Sequence, residues 1–225
     1  MKNKIGKLEY LIIALCVVTA ILTKSSTAII SILSFIFILS IELRTKMNLF
    51  SNWKRWGLLY GVVLIQIMFV KGNMIFSWII SRLFNKTLSY TGRDLLWSRA
   101  YEMISEKPIL GYGRIEGDYI SIWGGFYSSH NFILELLLQG GVIAIIIFIY
   151  LVIQALKKLQ RNRLNKVTRV LWIALFITLI AMLMEANVHS VYLFGLLVFA
   201  YRSAVFEDLA VGNEIFDEAK IVRDL

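Results

Sequence analysis

The sequence predicts an all-α integral membrane protein with about six transmembrane helices and a helical, outward-facing loop between spans three and four. Three observations predict it. The 225 residues are 58% hydrophobic and include a single proline, well above the ~45–50% apolar usage of soluble domains. Several apolar runs approach the ~20 residues that cross a bilayer core. Lys and Arg collect in alternate short connections between those runs, as they do in cytoplasmic loops. The seven in the long stretch 71–130 carry little weight, because long loops translocate despite their charge.

The formal net charge of +9 is therefore read first as topology. Nucleic acid is not an expected partner, because the basic residues lie between apolar spans and not on one soluble face. Cys16, the sole cysteine, lies inside the first apolar run, so no internal disulfide and no cysteine-based zinc site can form.

The N-terminal stretch MKNKIGKLEYLIIALCVVTAIL has a basic segment before its apolar one but no small-residue cleavage pattern. It reads as an uncleaved first span at about 8–23. After the polar turn KSS, the second span covers about 27–43 and the third about 56–70. The fourth is expected at about 131–153, the fifth at 170–185 and the sixth at 190–206. Short spans are accommodated by bilayer thinning or by snorkelling Lys and Arg. The chain thus divides into three spans within 1–70, a large loop over 71–130, three spans within 131–206 and a mixed-charge tail over 207–225.

Orientation follows from the flanks. Lys2, Lys4 and Lys7 precede span one; Arg44, Lys46, Lys54 and Arg55 lie between spans two and three. Lys157, Lys158, Arg161, Arg163, Lys166 and Arg169 lie between spans four and five, with no acid among them. Arg202 ends the sixth. All fall on one side if both termini are cytoplasmic. Residues 24–26, 71–130 and 186–189 then face outward.

A loop of about sixty residues is too long to be a mere connector. Its first part, NMIFSWIISRLFNK, has an apolar stripe with Arg82 and Lys86 opposite and suits the membrane interface. Next comes TGRDLLWSRAYEMISEKP, where Thr91 and Asp94 are spaced like a capping box. Leu96, Ala100, Met103 and Ile104 share one face at helical spacing, and Pro108 ends the pattern. A helix over 92–106 follows, with Arg93 in its first turn. A cation there opposes the helix dipole, yet free N–H groups make the same end an anion site. Arg93 thus reads either as a phosphate ligand or as a surface arginine paired with Asp94 or a headgroup. PILGYGRIEGDYISIWGGF then supplies five glycines, which permit tight turns and close backbone approach. Arg114 offers a second positive contact.

The segment FYSSHN closes the loop. His130 reads two ways. Either it is an interfacial side chain beside a helix cap from Ser128, Ser129 or Asn131, or it is a general base, since imidazole ordinarily titrates near about 6.5. Glu135 lies five residues on, inside the apolar run, where an acid is costly and functional by default. It is expected to orient a basic partner or bind backbone of a neighbouring span. Gly140 and Gly141 would let another helix approach closely. His189, in EANVHS with Glu185 and Asn187 nearby, reads as an interface side chain or as a second residue of the outer site.

The order of these motifs is familiar. Gly92-Arg93, three residues and Trp97; the PxLGxG of 108–113; and the HNxxLExLxxxG of 130–141 precede a long apolar span. The pattern resembles the O-antigen ligase and polymerase family, strongest over about 91–141 and weaker from about 20 to 205. The resemblance implies a multi-span enzyme of the bacterial cytoplasmic membrane acting outside it. Such an enzyme transfers a glycan from an undecaprenyl-diphosphate-linked oligosaccharide to the hydroxyl of a glycan or lipid-glycan acceptor, without nucleotide sugar or metal, so no cofactor is expected. Other polysaccharide-assembly membrane proteins are further expected partners. By this resemblance His130 matches the family's loop histidine, the base that activates the acceptor hydroxyl. Arg93 matches an arginine that engages the carrier diphosphate. No DxD motif for a metal-bound nucleotide sugar occurs.

Two departures accompany the match. Family members carry T-x-S-R where two earlier spans meet; here the stretch is Thr23-Lys24-Ser25-Ser26. Lys24 would supply the charge without the bidentate fork of arginine. The family also has about twice as many spans, so the chain reads as a C-terminal half with its own start methionine. Asn131 and Glu135 are expected to support the site. The competing readings are a non-catalytic membrane subunit or remnant that binds carrier lipid or a partner protein, and a small transporter. A transporter would need facing polar residues or broken, repeated helices. The spans hold Glu42, Glu135 and Glu185 but no obvious repeat.

Overall fold

The structure, a computed structural model, describes residues 7–22, 25–45, 52–69, 91–114, 129–163, 166–184 and 191–205. Among these residues every regular element is a helix. The elements are α1 (Lys7–Leu22), α2 (Ser26–Thr45), α3 (Trp53–Phe69), α4 (Thr91–Glu106), α5 (Phe132–Arg161), α6 (Lys166–Ala181) and α7 (Val191–Tyr201). The interfacial stretch 73–86, the Glu185–Asn187–His189 group and the tail lie outside the described residues.

The central bundle is α5, α6 and α7, with α2 and α3 laid against α6 and α1 against α2. Its core joins Phe148, Ala155, Leu156 and Leu159 of α5 to Trp172, Ile173 and Leu175 of α6 and to Leu193, Leu197 and Ala200 of α7. On α5 those positions return at helical spacing, one stripe facing inward. The opposite stripe, Ile143, Ile146, Ile147 and Tyr150, is apolar yet exposed. Such a surface suits hydrocarbon and not water.

α5 is the helix, among the described residues, that is long and apolar enough to cross a membrane. The apolar helices Thr27–Glu42, Val167–Ala181 and Val191–Tyr201 are shorter. α5 is also longer than the run expected at 131–153, because Lys157, Lys158 and Arg161 continue it as its last turns.

The basic end of the bundle is tied together by polar contacts. The Trp53 N–H donates to Gln160 Oε1 at 3.1 Å, and Asn162 Nδ2 donates to Ser203 Oγ at 3.2 Å. Lys157 lies over the Trp53 ring and Lys158 over the Tyr201 ring. Arg169 Nη1 meets the buried Glu42 carboxylate at 3.5 Å, joining α2 to α6. The Glu42 charge is thus compensated where an isolated one would be prohibitive. Aromatic rings and cations side by side are what a membrane interface favours.

α5 is not a straight rod. Gly141 has φ 61° and ψ −161°, outside the helical region. The rings of Phe132 and Phe148 stand 4.9 Å apart, centroid to centroid. Sixteen residues of straight helix would separate them by about 24 Å. The first half, 132–140, therefore folds back on the second, 142–161. The second half alone, at about 30 Å, matches a bilayer core. The Phe132 N–H donates to the Met182 carbonyl at 2.9 Å, pinning the folded-back end to the end of α6.

Candidate functional site

The site forms where that folded-back half begins. Asn131, fully buried, is the N-cap of α5, with extended φ −148° and ψ 121°. Its Oδ1 accepts from the N–H groups of Ile133 (2.9 Å) and Leu134 (3.1 Å). These are donors that a helix start leaves without partners. Its Nδ2 donates to the Leu183 carbonyl at 2.9 Å. Of the three residues the sequence offered as caps, Asn131 takes the role.

On the other side of His130, Ser129 is equally fixed. Its N–H donates to Glu135 Oε2 at 3.1 Å, and its Oγ lies 3.0 Å from both Glu135 Oε2 and the Asn131 carbonyl. Its carbonyl accepts from the indole N–H of Trp97 on α4 at 3.0 Å. Glu135, buried at 4% exposure, receives a third donor, Gln139 Nε2 at 3.1 Å, on its other oxygen. Among the described residues its partners are thus the turn that carries His130 and the next turn of its own helix, and not a cation or a neighbouring span.

His130 stands between these two anchored neighbours with φ 50°. Left-handed backbone is uncommon outside glycine, though His, Asn and Asp tolerate it better than most residues. Here it turns the chain sharply into α5. The imidazole is partly exposed, while both flanking residues are buried. Such an outlier held by surrounding structure is the kind of feature found at functional sites.

α4 closes one side. Leu96, Trp97, Ala100 and Met103 pack on Leu134 and Leu138 of the folded-back half. Its outer face is polar, with Arg99 and Glu102 paired at 2.5 Å. The helix expected over 92–106 is present with the apolar face the spacing indicates. Arg93 falls in its first turn, but its side chain lies outside the description, as does the whole of Lys24.

The glycine-rich stretch behaves differently from a plain loop. Residues 108–113 fill the mouth of the α5 bend and replace the helical hydrogen bonds broken at Gly141. The Tyr112 and Gly113 N–H groups donate to the Leu138 and Gln139 carbonyls at 2.7 and 2.9 Å. The Val142 and Ile143 N–H groups donate to the Pro108 and Ile109 carbonyls at 2.8 and 3.4 Å. One short loop thereby serves the end of one helical half and the start of the next, where orphan groups would otherwise remain. Gly141 thus admits this loop in place of the expected helix, while an added Cβ on Gly140 would meet Ala144 of α5 itself.

Tyr112 Oη donates to Glu106 Oε2 at 2.6 Å, a bond that holds the phenol above its ordinary titration range. Arg114 is exposed and comes directly after Gly113, at the bend end of the short half. Gln139, bonded to Gly113, is eight residues from Asn131, about 12 Å along the helix, so Arg114 and His130 stand beside opposite ends of the short half. The structure therefore brings His130, Asn131 and Glu135 together and sets Arg114 at the far end of the same short helix. Ser129, Gln139 and Gly141 gain weight only from contacts. Trp97 was legible as part of the GR-xxx-W motif, without its partner.

Glu135→Ala would leave the buried Ser129 N–H without an acceptor, at about 1–3 kcal/mol, and would also remove the acceptor of the part-buried Gln139 amide. Glu135→Gln keeps an acceptor for Ser129, and the Gln139 amide can turn to accept from the new one. The alanine variant is expected to lose thermal stability and at least tenfold in site activity, with the glutamine variant close to wild type. Equal losses in both, measured on purified protein, would show that the charge and not the hydrogen bonding matters.

A protein-family model described as O-antigen ligase matches residues 11–149, well over half the chain. The matched region runs from α1 through the bend of α5 and includes every candidate site residue named above except the 185–189 group. No curated protein and no solved structure matches the chain.

Proposed function

Because the chain belongs to the O-antigen ligase family, whose members act in bacterial membranes on lipid-linked oligosaccharides and glycans, we propose that it transfers an oligosaccharide from undecaprenyl diphosphate to an acceptor hydroxyl in surface polysaccharide synthesis. The observation that carries this reading is His130, held in a left-handed turn between two hydrogen-bonded, buried neighbours. A base must be within reach of the hydroxyl it deprotonates, and rigidity keeps it there.

In this reading the His130 imidazole takes the acceptor hydroxyl proton. The acceptor oxygen then attacks the anomeric carbon, the sugar–phosphate bond breaks and undecaprenyl diphosphate departs. Arg93, Arg114 and Lys24 supply the positive charge that the leaving diphosphate requires. Arg114 and His130 flank opposite ends of a helical stretch about 12 Å long, which leaves room for a sugar and a diphosphate between two long side chains. Six spans, two cytoplasmic termini and an outward-facing site complete the proposal. The acceptor favoured is another lipid-linked repeat, as in a polymerase, since nothing in the sequence points to a lipid-A core.

A second reading has one observation in its favour. Ser26, the first residue of α2, stands where the family carries an arginine. A chain short of that contact suits a non-catalytic membrane subunit that binds carrier lipid or a partner protein. The two separate in proteoliposomes holding the purified chain and undecaprenyl-diphosphate-linked repeats. A ladder of lengthened products establishes the enzyme. No ladder, in a host whose long-chain polysaccharide nevertheless requires this gene, establishes the subunit.

A further inference from the structure

The His130 turn is held partly by its own helix and partly by other elements. Asn131 caps α5, and Ser129 bonds to Glu135 in the first turn of α5. Those contacts move with the turn as one piece. Other contacts fix that piece in place. The Asn131 amide reaches the Leu183 carbonyl, just past the end of α6. The indole N–H of Trp97, on α4, donates to the Ser129 carbonyl at 3.0 Å.

Packing alone does not call for a tryptophan at 97. Leu96, Ala100 and Met103 already bury the same face of α4 against Leu134 and Leu138. What Trp97 adds is a donor at the end of a buried aromatic body. Its bond falls on the backbone one residue before the candidate base.

The bond also places the start of α4. Trp97 meets Ser129, ahead of the folded-back half, while the loop after α4 meets Leu138 and Gln139 at the end of that half. The two helical stretches therefore run in the same sense, and residues before Trp97 extend beyond the level of Ser129. Arg93 is four positions earlier on α4, about 6 Å along its axis. The first turn of α4 thus stands by the His130 turn, and Arg114 stands beside the other end of the short half.

We infer that Trp97 is a positioning residue: its indole N–H, bonded to the Ser129 carbonyl, holds the Arg93 end of α4 in register with His130. A base and a diphosphate-binding cation must be correctly spaced to act on one sugar–phosphate unit, and a misplacement of about 1 Å costs as much as 10²-fold in rate. The other end of α4 is held by the 108–113 loop, so loss of the indole bond frees the end that carries Arg93. The inference rests on the transferase reading and on Arg93 meeting the diphosphate.

The test uses the purified full-length protein in proteoliposomes with undecaprenyl-diphosphate-linked repeats, and reads kcat and KM for the donor separately. Trp97→Phe keeps an aromatic ring without a donor. Benzothienylalanine, placed at 97 by nonsense suppression, keeps the indole shape and replaces its N–H by sulfur. Trp56→Phe is the control, because that ring packs edge-on against Phe176 within the bundle at 4.2 Å. It reports what loss of a packed indole does by itself. Both changes at 97 are expected to lower kcat by roughly ten- to a hundredfold. KM should stay within about twofold, as for an interaction that matters only in the transition state. Trp56→Phe should keep kcat. If the benzothienyl variant keeps wild-type kcat, or if KM alone rises, the N–H does not position the base and the inference is overturned. The wild-type ladder then leaves the transferase reading in place. If the wild type itself lengthens no repeats, both fall.

Discussion

Replacing His130 by asparagine is expected to stop transfer while leaving the protein folded and at its normal level in the membrane. The choice of residue matters. His130 sits at φ 50°, where an alanine would add a backbone penalty of about 1–2 kcal/mol. Asparagine accepts the left-handed region about as readily as histidine and presents no base at neutral pH. Loss of a general base lowers the rate by roughly 10²–10⁴-fold. In the native host this should read on gels as loss of long-chain polysaccharide and accumulation of single lipid-linked repeats. His130→Ala should give the same profile with a lower unfolding temperature. Normal chains in the asparagine variant would remove His130 from the chemistry and return weight to the subunit reading.

Gly141→Ala is expected to be the most damaging single-methyl change in the described structure. Its φ and ψ fall in a region that glycine alone occupies freely, and other residues incur about 1–3 kcal/mol of strain there. A Cβ would also run into the backbone carbonyl of Ile109. That atom is held by the stitched loop, so relief requires the loop to leave the bend. Each of its four backbone hydrogen bonds contributes about 0.5–1.5 kcal/mol net. The variant should accumulate poorly and unfold at a lower temperature in detergent. Gly111→Ala, with φ 64° and a Cβ 2.5 Å from the Leu138 carbonyl oxygen, should behave similarly. Gly195→Ala is the contrast, since nothing lies within 4 Å of its added methyl and helix propensity favours alanine. Wild-type stability in Gly141→Ala would mean that the bend is not built as described.

The sequence alone determined the elements and the family. Apolar runs of helical length, the 3.6-residue stripe of Leu96, Ala100 and Met103, and the stop at Pro108 are local properties, because they depend on near neighbours in the chain. The motif order from Arg93 to Gly141 was equally legible, since it is a matter of residue identity and spacing. What Gly141 does was not. A glycine inside an apolar run reads as a packing surface, and only the approach of residues 108–113 from thirty positions away turns it into a bend. The same holds for Glu135, whose spacing from Ser129 suggests nothing until the chain reverses at His130 and brings Ser129 N–H and Oγ to its carboxylate. Tertiary structure decided these points because a buried backbone donor or carboxylate must find a partner wherever the fold supplies one, and that partner is chosen by proximity in space and not by order along the chain.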